Sequence, residues 1–215
     1  MKTITVQAFT FNELDENAKK KARERNREIL VQDDWWDQAY EDIDQCAAVL
    51  GMDIERETRR RRDGSTFEGG PNILFSGFAS QGDGASFTGI YSHKPDAPQA
   101  IRQHAPKDAT LHDIADDLEA FQQRMGGGVI ATIKRDSSSY VHERTVTTEM
   151  EDNDDGKWTQ EAEDELGEIM VRLMEWAYRQ LEKEYYALTT DEAIDNELVE
   201  SERLFTRNGD PGVTF

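Results

Sequence analysis

The chain has one cysteine, five prolines and no long apolar stretch among its 215 residues. Because Cys46 has no second thiol to pair with, an internally disulfide-stabilised scaffold is excluded, and its place on an apolar helical face predicts burial. A membrane helix needs about 18 consecutive apolar residues, and the sequence predicts none. The N-terminus alternates like a strand and lacks the features of a secretory signal. We therefore expect a cytoplasmic protein.

Motifs that bind cofactors or carry catalysis are also missing. The glycine-rich part of the chain has no GxxxxGK[ST] phosphate loop and lacks the alternating oxygen ligands of a calcium loop. The four histidines are scattered without partners at zinc-ligand spacing, and they are His93, His104, His112 and His142. The sequence therefore predicts no metal site, no cofactor and no catalytic residues.

Positive charge is scarce relative to negative charge. The 45 Asp and Glu residues against 25 Lys and Arg residues give a net charge of -20. A magnitude of about 2 to 8 is enough to keep a small domain soluble. So large a negative charge opposes unaided binding to DNA, RNA or anionic lipid and attracts basic surfaces. We expect a basic protein as partner, with no direct contact to nucleic acid or membrane, while the oligomeric state stays open.

Hydrophobic periodicity predicts helices and strands in mixed order. Strand patterns cover residues 3–11, 52–58, 72–78, 86–92, 129–133, 140–150 and 204–206. Helical patterns cover residues 15–29, 34–50, 97–104, 109–124, 159–186 and 190–199. Strands that follow one another as hairpins favour antiparallel pairing. The prediction is one acidic α+β domain over residues 1–215, with an antiparallel sheet of about five to seven strands. Amphipathic helices, including a long C-terminal one, would cover mainly one face of that sheet.

Carboxylates are concentrated in three clusters with few basic residues, over residues 33–44, 149–168 and 191–202. Helical neighbours three or four apart have Cβ atoms about 5–6 Å apart, a spacing close to that of successive phosphates. Such rows can imitate a nucleic-acid backbone, although a merely solvated helix face is the alternative. The predicted partner-binding residues are Asp33, Asp34, Asp37, Glu41, Asp42, Asp152, Asp154, Asp155, Glu161, Glu165 and Glu168.

The segment FSGFASQGDGASFTG, residues 75–89, places four glycines between two predicted strands. Glycine permits positive φ and close backbone approach, and an Asp between glycines can cap amides or ligate a cation. A hairpin loop and a ligand or partner contact are the two interpretations, and positive φ at Gly82 and Gly84 is one expectation. The residues of this loop motif are Ser76, Gly77, Ser80, Gln81, Gly82, Asp83 and Gly84.

Segments along nearly the whole chain resemble a family of phage- and plasmid-borne proteins often labelled hypothetical or antitoxin-like. They are ELDENAKKKARERNRE, DWWDQAYEDI, FSGFASQGDGASFTG with its SGFxSQGDGASF-like core, APKDATLHDIA and RQLEKEYYALTTDEAIDNELVESERLFTRNG. The resemblance implies a mobile-element context and a location in the host cytoplasm, and it brings no catalytic residues. Ala79 stands where similar sequences are expected to have an aromatic residue, which weakens the case for a stacking ligand.

Three functions follow as hypotheses. The leading one is a non-enzymatic, phage-type interaction protein whose acidic surface mimics nucleic acid and blocks a basic site on a host defence or nucleic-acid-handling protein. The alternative is an antitoxin that neutralises a cognate toxin. The third is a metal-dependent enzyme that uses Asp83 with a histidine such as His93.

Crowding of like charges also leads to an expectation about pH. Mutual repulsion would raise several carboxyl pKa values above their ordinary values of about 3.9 and 4.3. A carboxylate with a raised pKa destabilises the fold where it is ionised, so stability would increase as pH falls from about 7 to about 5.

Overall fold

The computed structural model describes residues 7–136, 140–151 and 158–212. Its α-helices there are α1 (Glu16–Arg25), α2 (Asp37–Val49), α3 (Ala97–His104), α4 (Ala109–Met125), α5 (Gln160–Leu188) and α6 (Asp191–Glu200). Its strands are β1 (Phe9–Thr10), β2 (Met52–Ile54), β3 (Arg56–Arg60), β4 (Thr66–Pro71), β5 (Ile73–Phe75), β6 (Ala85–Phe87), β7 (Gly89–Ser92), β8 (Ile130–Arg135), β9 (Val146–Met150) and β10 (Leu204–Phe205). The predicted α+β class is confirmed, and α5, with 29 residues, is the predicted long C-terminal helix. Within these residues no helix combines the length and the apolar character needed to cross a membrane.

The chain groups into two compact units. Residues 1–36 and 183–215 contribute to the first unit, and residues 37–182 form the second. A single domain over residues 1–215 stays a prediction.

The first unit is built around a small apolar core. The buried residues of this core are Phe11, Leu14, Ala18, Ala22, Ile194, Leu198 and Phe205. Helix α1 is capped at its N-terminus by Asp15, which accepts a hydrogen bond from the Ala18 amide (2.9 Å). Its small buried side chains leave little apolar area, and Arg23 adds a bidentate ion pair to Asp195 of α6 (2.5 and 2.7 Å).

The second unit contains a four-stranded antiparallel sheet in the order β2-β7-β8-β9. One row across this sheet pairs Met52 with Tyr91, Tyr91 with Ala131, and Ala131 with Met150, and all four side chains are buried. The next row carries exposed residues, such as Ile90, which is 46% exposed. Successive side chains of a strand point to opposite faces, so one face of the sheet is covered and the other is open.

The remaining described strands form three two-stranded sheets, β1-β10, β3-β4 and β5-β6, so the expectation of one sheet of five to seven strands was wrong. The reason is a change of partner at Glu55. Its N–H donates to the Thr88 carbonyl (2.8 Å), whereas its carbonyl accepts from the Asn72 amide (2.7 Å). The chain therefore pairs with β7 before Glu55 and with β4 after it.

Candidate functional site

The glycine-rich loop between β5 and β6 is held closed by its own polar groups. Asp83 Oδ2 accepts the amides of Ala79 (2.8 Å) and Ser80 (2.7 Å). The Ser76 amide donates to the Gly84 carbonyl (3.0 Å), and the Gly84 amide donates to Ser76 Oγ (2.9 Å). These contacts support a structural hairpin loop, because one oxygen of Asp83 already serves two amides of its own loop.

Neither Gly82 nor Gly84 adopts a positive φ, so that expectation was wrong. At both positions a neighbouring side chain comes so close to the backbone that it leaves no room for a Cβ atom. A Cβ on Gly82 would overlap the Tyr140 hydroxyl, and one on Gly84 would lie 2.5 Å from Glu143 Oε2. Close approach of a neighbouring side chain, rather than a left-handed backbone, is therefore what favours glycine at these two positions.

The base of the loop packs on other parts of the second unit, whereas its tip is open. The Tyr178 hydroxyl donates to the Gly77 carbonyl (3.1 Å), and the ring of Phe78 lies 5.4 Å from that of Tyr178. Ser80 and Gln81 at the tip are exposed. The exposed residues of this loop are Gly77, Ala79, Ser80 and Gln81.

Metal-ligating side chains do not converge in the part of the chain that the structure describes. No three or more His, Cys, Asp or Glu side chains there are placed to hold a metal ion. His93, the histidine suggested to act with Asp83, instead contacts Glu119 (3.2 Å). Hydrogen bonds from Gln123 and then from His93 lower the pKa of Glu119. His93 thus has a structural partner other than Asp83.

The first acidic cluster is exposed. Asp33 and Asp34 belong to the first unit, and Asp37, Glu41 and Asp42 lie on α2 in the second. None of these five carboxylates forms an ion pair with a described residue, and Asp42 accepts a hydrogen bond only from Gln38 (3.3 Å). The opposite side of α2 is apolar and buried, so the three carboxylates on α2 share its exposed side.

Members of the second cluster differ in their contacts. Glu165 pairs with Arg124, and Glu168 pairs with Arg144 (3.0 Å). Glu161 is exposed and has no ion pair within the described ranges. The predicted residues Asp152, Asp154 and Asp155 lie outside the described residues. The cluster is therefore partly neutralised by two arginines from outside it.

The expected rise in carboxyl pKa values within the three acidic clusters is contradicted at Asp191, the described cluster residue with a clear shift. Each described carboxyl with a clear shift has a lowered pKa, and these are Glu13, Asp63, Glu119, Asp191 and Asp210. Asp191 is shifted mainly by its hydrogen bond from Arg27, and Asp210 by that from Lys21. Favourable contacts with donors, not repulsion, set the direction of these shifts.

A groove of about 430 Å³ lies between strand β9 and the first half of α5. Val146, Thr148 and Val171 line it together with the acidic residues Glu163 and Asp164. β9 is an edge strand of the four-stranded sheet. This groove was not predicted from the sequence, in which its one local signal is Gly167, a glycine inside a strong helical pattern.

The comparison with curated proteins found no match, and the comparison with solved structures found none either. A family model does match the chain from residue 35 to residue 191. This range includes α2, the glycine-rich loop and both sides of the β9–α5 groove. The chain belongs to the family described as Domain of unknown function (DUF8835).

Proposed function

We propose that this protein is a non-enzymatic interaction protein that binds a basic surface of another protein and competes there with nucleic acid. The partner is a defence or nucleic-acid-handling protein of a host cell, in keeping with the mobile-element context that the family resemblance implies. The observation that carries the proposal is the exposed side of α2, where Asp37, Glu41 and Asp42 have no ion pair with a described residue.

The charge balance supports this proposal. If each of the 25 basic residues neutralised one of the 45 acidic residues, 20 carboxylates would still be unpaired. On α2 the next carboxylate, Asp44, is already neutralised by Arg56 (2.8 Å). The three acids before it are the part of this helix that stays available to an external cation.

The spacing of these carboxylates resembles that of successive phosphates, so they suit a partner whose surface binds phosphate groups. Asp37 and Glu41 are four residues apart on one helix, so their Cβ atoms lie about 5–6 Å apart. A row of negative charges at this spacing attracts a partner whose Lys and Arg residues are arranged to neutralise phosphates. Long-range attraction of this kind speeds association and weakens as salt is added.

A pull-down with charge variants tests the proposal. The variant carries Asp37→Asn, Glu41→Gln and Asp42→Asn on α2. Its matched control carries Glu192→Gln, Glu197→Gln and Glu200→Gln on α6, which changes the net charge equally.

Immobilised wild-type protein should capture a nucleic-acid-binding protein from host lysate at about 0.1 M salt and release it near 1 M, where the Debye length falls from about 10 Å to about 3 Å. Added DNA should displace the captured protein. The α2 variant should lose capture and the α6 control should keep it. Capture that ignores salt, or that both variants lose equally, would refute a localised acidic binding surface.

A further inference from the structure

The outer edge of β9 presents backbone groups that do not pair with β8. The ladder between the two strands continues beyond their ends through Glu151 N–H to the Ile130 carbonyl and Asp136 N–H to the Thr145 carbonyl (2.9 Å each). In an antiparallel ladder the inward-facing groups belong to every second residue. The amides of Val146, Thr148 and Met150 therefore face away from β8.

These three outward amides differ in their contacts. The Met150 amide donates to Glu163 Oε1 on α5 (3.0 Å). The amides of Val146 and Thr148 have no hydrogen-bond acceptor among the described residues. Unpaired amides along a sheet edge form a template for another strand.

The groove beside this edge has room, and its mainly polar lining includes two apolar side chains. Val146 and Val171 line it, and the Thr148 hydroxyl oxygen is buried there without a hydrogen-bond partner in the described part of the chain. Gly167 leaves the groove open on the side formed by α5, because even a Cβ at that position would lie 3.6 Å from the Thr148 hydroxyl oxygen. A larger side chain at position 167 would begin to fill the groove.

The charge of the groove selects a basic occupant. Three carboxylates line it, those of Glu163, Asp164 and Glu168, against one guanidinium, that of Arg144. Arg144 is paired with Glu168, so the other two carboxylates have no cationic partner within the described residues. Lys or Arg side chains of an incoming segment would supply it.

We propose that the β9–α5 groove binds an extended basic segment of the partner protein, which adds to the four-stranded sheet beside β9. Side chains of an extended segment alternate in direction, so apolar residues would face Val146 and Val171 while basic residues between them reach the acidic rim. The inference rests on the proposed function, because it names the site and the form in which a basic partner is bound.

A synthetic peptide of about eight alternating valine and lysine residues, at about 3.4 Å per residue, is long enough to span the five residues of β9. It should bind saturably, and amide hydrogen exchange should slow at Val146 and Thr148. The control peptides replace lysine by glutamate or carry N-methyl groups on alternate amides. Both should bind at least about tenfold more weakly.

Variants of the protein locate the site. Thr148→Pro removes an outward amide without removing a ladder hydrogen bond and should weaken peptide binding about fivefold. Gly167→Trp should abolish binding by filling the groove, and its matched control Gly167→Ala should bind as the wild type does. Thermal melting of each variant establishes that it is folded.

The inference is overturned if the valine–lysine peptide does not bind, if the glutamate peptide binds equally, or if exchange at both amides is unchanged. Its failure differs from that of the proposed function. A captured basic protein that is lost with the α2 variant but kept with Gly167→Trp would leave the proposed function standing without the groove. If the peptide binds in the groove but no basic protein is captured from lysate, the groove remains a peptide-binding site and the proposed function fails.

Discussion

Replacing Gly84 by alanine tests whether close packing, and not backbone angle, fixes the glycine-rich loop. A Cβ at this position would lie 2.5 Å from Glu143 Oε2 and 3.2 Å from the His142 Cα. The Glu143 side chain is only 11% exposed and has little space to withdraw. The backbone cannot withdraw either, because both the N–H and the C=O of Gly84 are bonded to Ser76.

The expected size of the effect follows from two opposing contributions. Gly→Ala at an unstrained position stabilises by about 0.4–1 kcal/mol, because the unfolded chain loses freedom. Forcing an extra methyl into a packed site destabilises by about 1–3 kcal/mol. Gly84→Ala should therefore lower the free energy of unfolding by about 0–2.6 kcal/mol, with the middle of that range at ~1.3 kcal/mol.

Two other glycines serve as controls in urea denaturation. A Cβ on Gly70 would meet no atom within 4 Å, so Gly70→Ala should be neutral or slightly stabilising. Gly82→Ala would displace the Tyr140 side chain, which is 56% exposed and can rotate away, so its effect should be smaller than that of Gly84→Ala. If Gly84→Ala is as stable as Gly70→Ala, the packing explanation is wrong.

Three further predictions concern stability. Gln122→Leu should destabilise the protein by about 2–4 kcal/mol in urea titration, because the side-chain amide of Gln122 is fully buried and makes two hydrogen bonds. Its Oε1 accepts from the Val129 N–H (3.0 Å), and its Nε2 donates to the buried Tyr91 hydroxyl (3.2 Å). A loss below about 1 kcal/mol would contradict that network. Because the pKa values of Asp191 and Asp210 are lowered, their stabilisation is present above the ordinary Asp pKa of about 3.9 and is lost as pH falls below it. Melting temperature should thus change little from these groups between pH 7 and about 5.5 and fall below about pH 4, whereas a rise on acidification would show that repulsion dominates. Asp83→Ala should destabilise by about 1–3 kcal/mol in thermal melts and speed exchange of the loop amides, and unchanged exchange would count against its capping role.

Local sequence signals predicted the helices well. The pattern over residues 159–186 became α5, Gln160–Leu188, and that over 109–124 became α4, Ala109–Met125. Each of these helices has an apolar stripe at helical spacing, and such a stripe needs no knowledge of its distant partner. The strand pattern over 140–150 was less informative, since residues 143–145 form a 3₁₀ turn before β9 begins.

Of the two candidate sites, one could be predicted from the sequence and the other could not. The sequence located the exposed carboxylates of α2, because charged residues opposite an apolar stripe must face solvent. It did not locate the β9–α5 groove, because that site depends on which strand lies at the sheet edge. Edge position is a property of strand order, and strand order depends on contacts between residues far apart in the chain.

The sequence by itself determined the α+β class, the long C-terminal helix and the excess of 20 negative charges. These follow from local periodicity and from composition, which are properties of short segments or of a sum. Only the tertiary structure decided that Glu55 changes strand partners and that a side chain at position 84 would collide with Glu143. It also decided that the amides of Val146 and Thr148 have no acceptor in the part of the chain that the structure describes. Each of these features depends on atoms brought together from separate parts of the chain. A local sequence pattern carries no information about which distant residues come into contact.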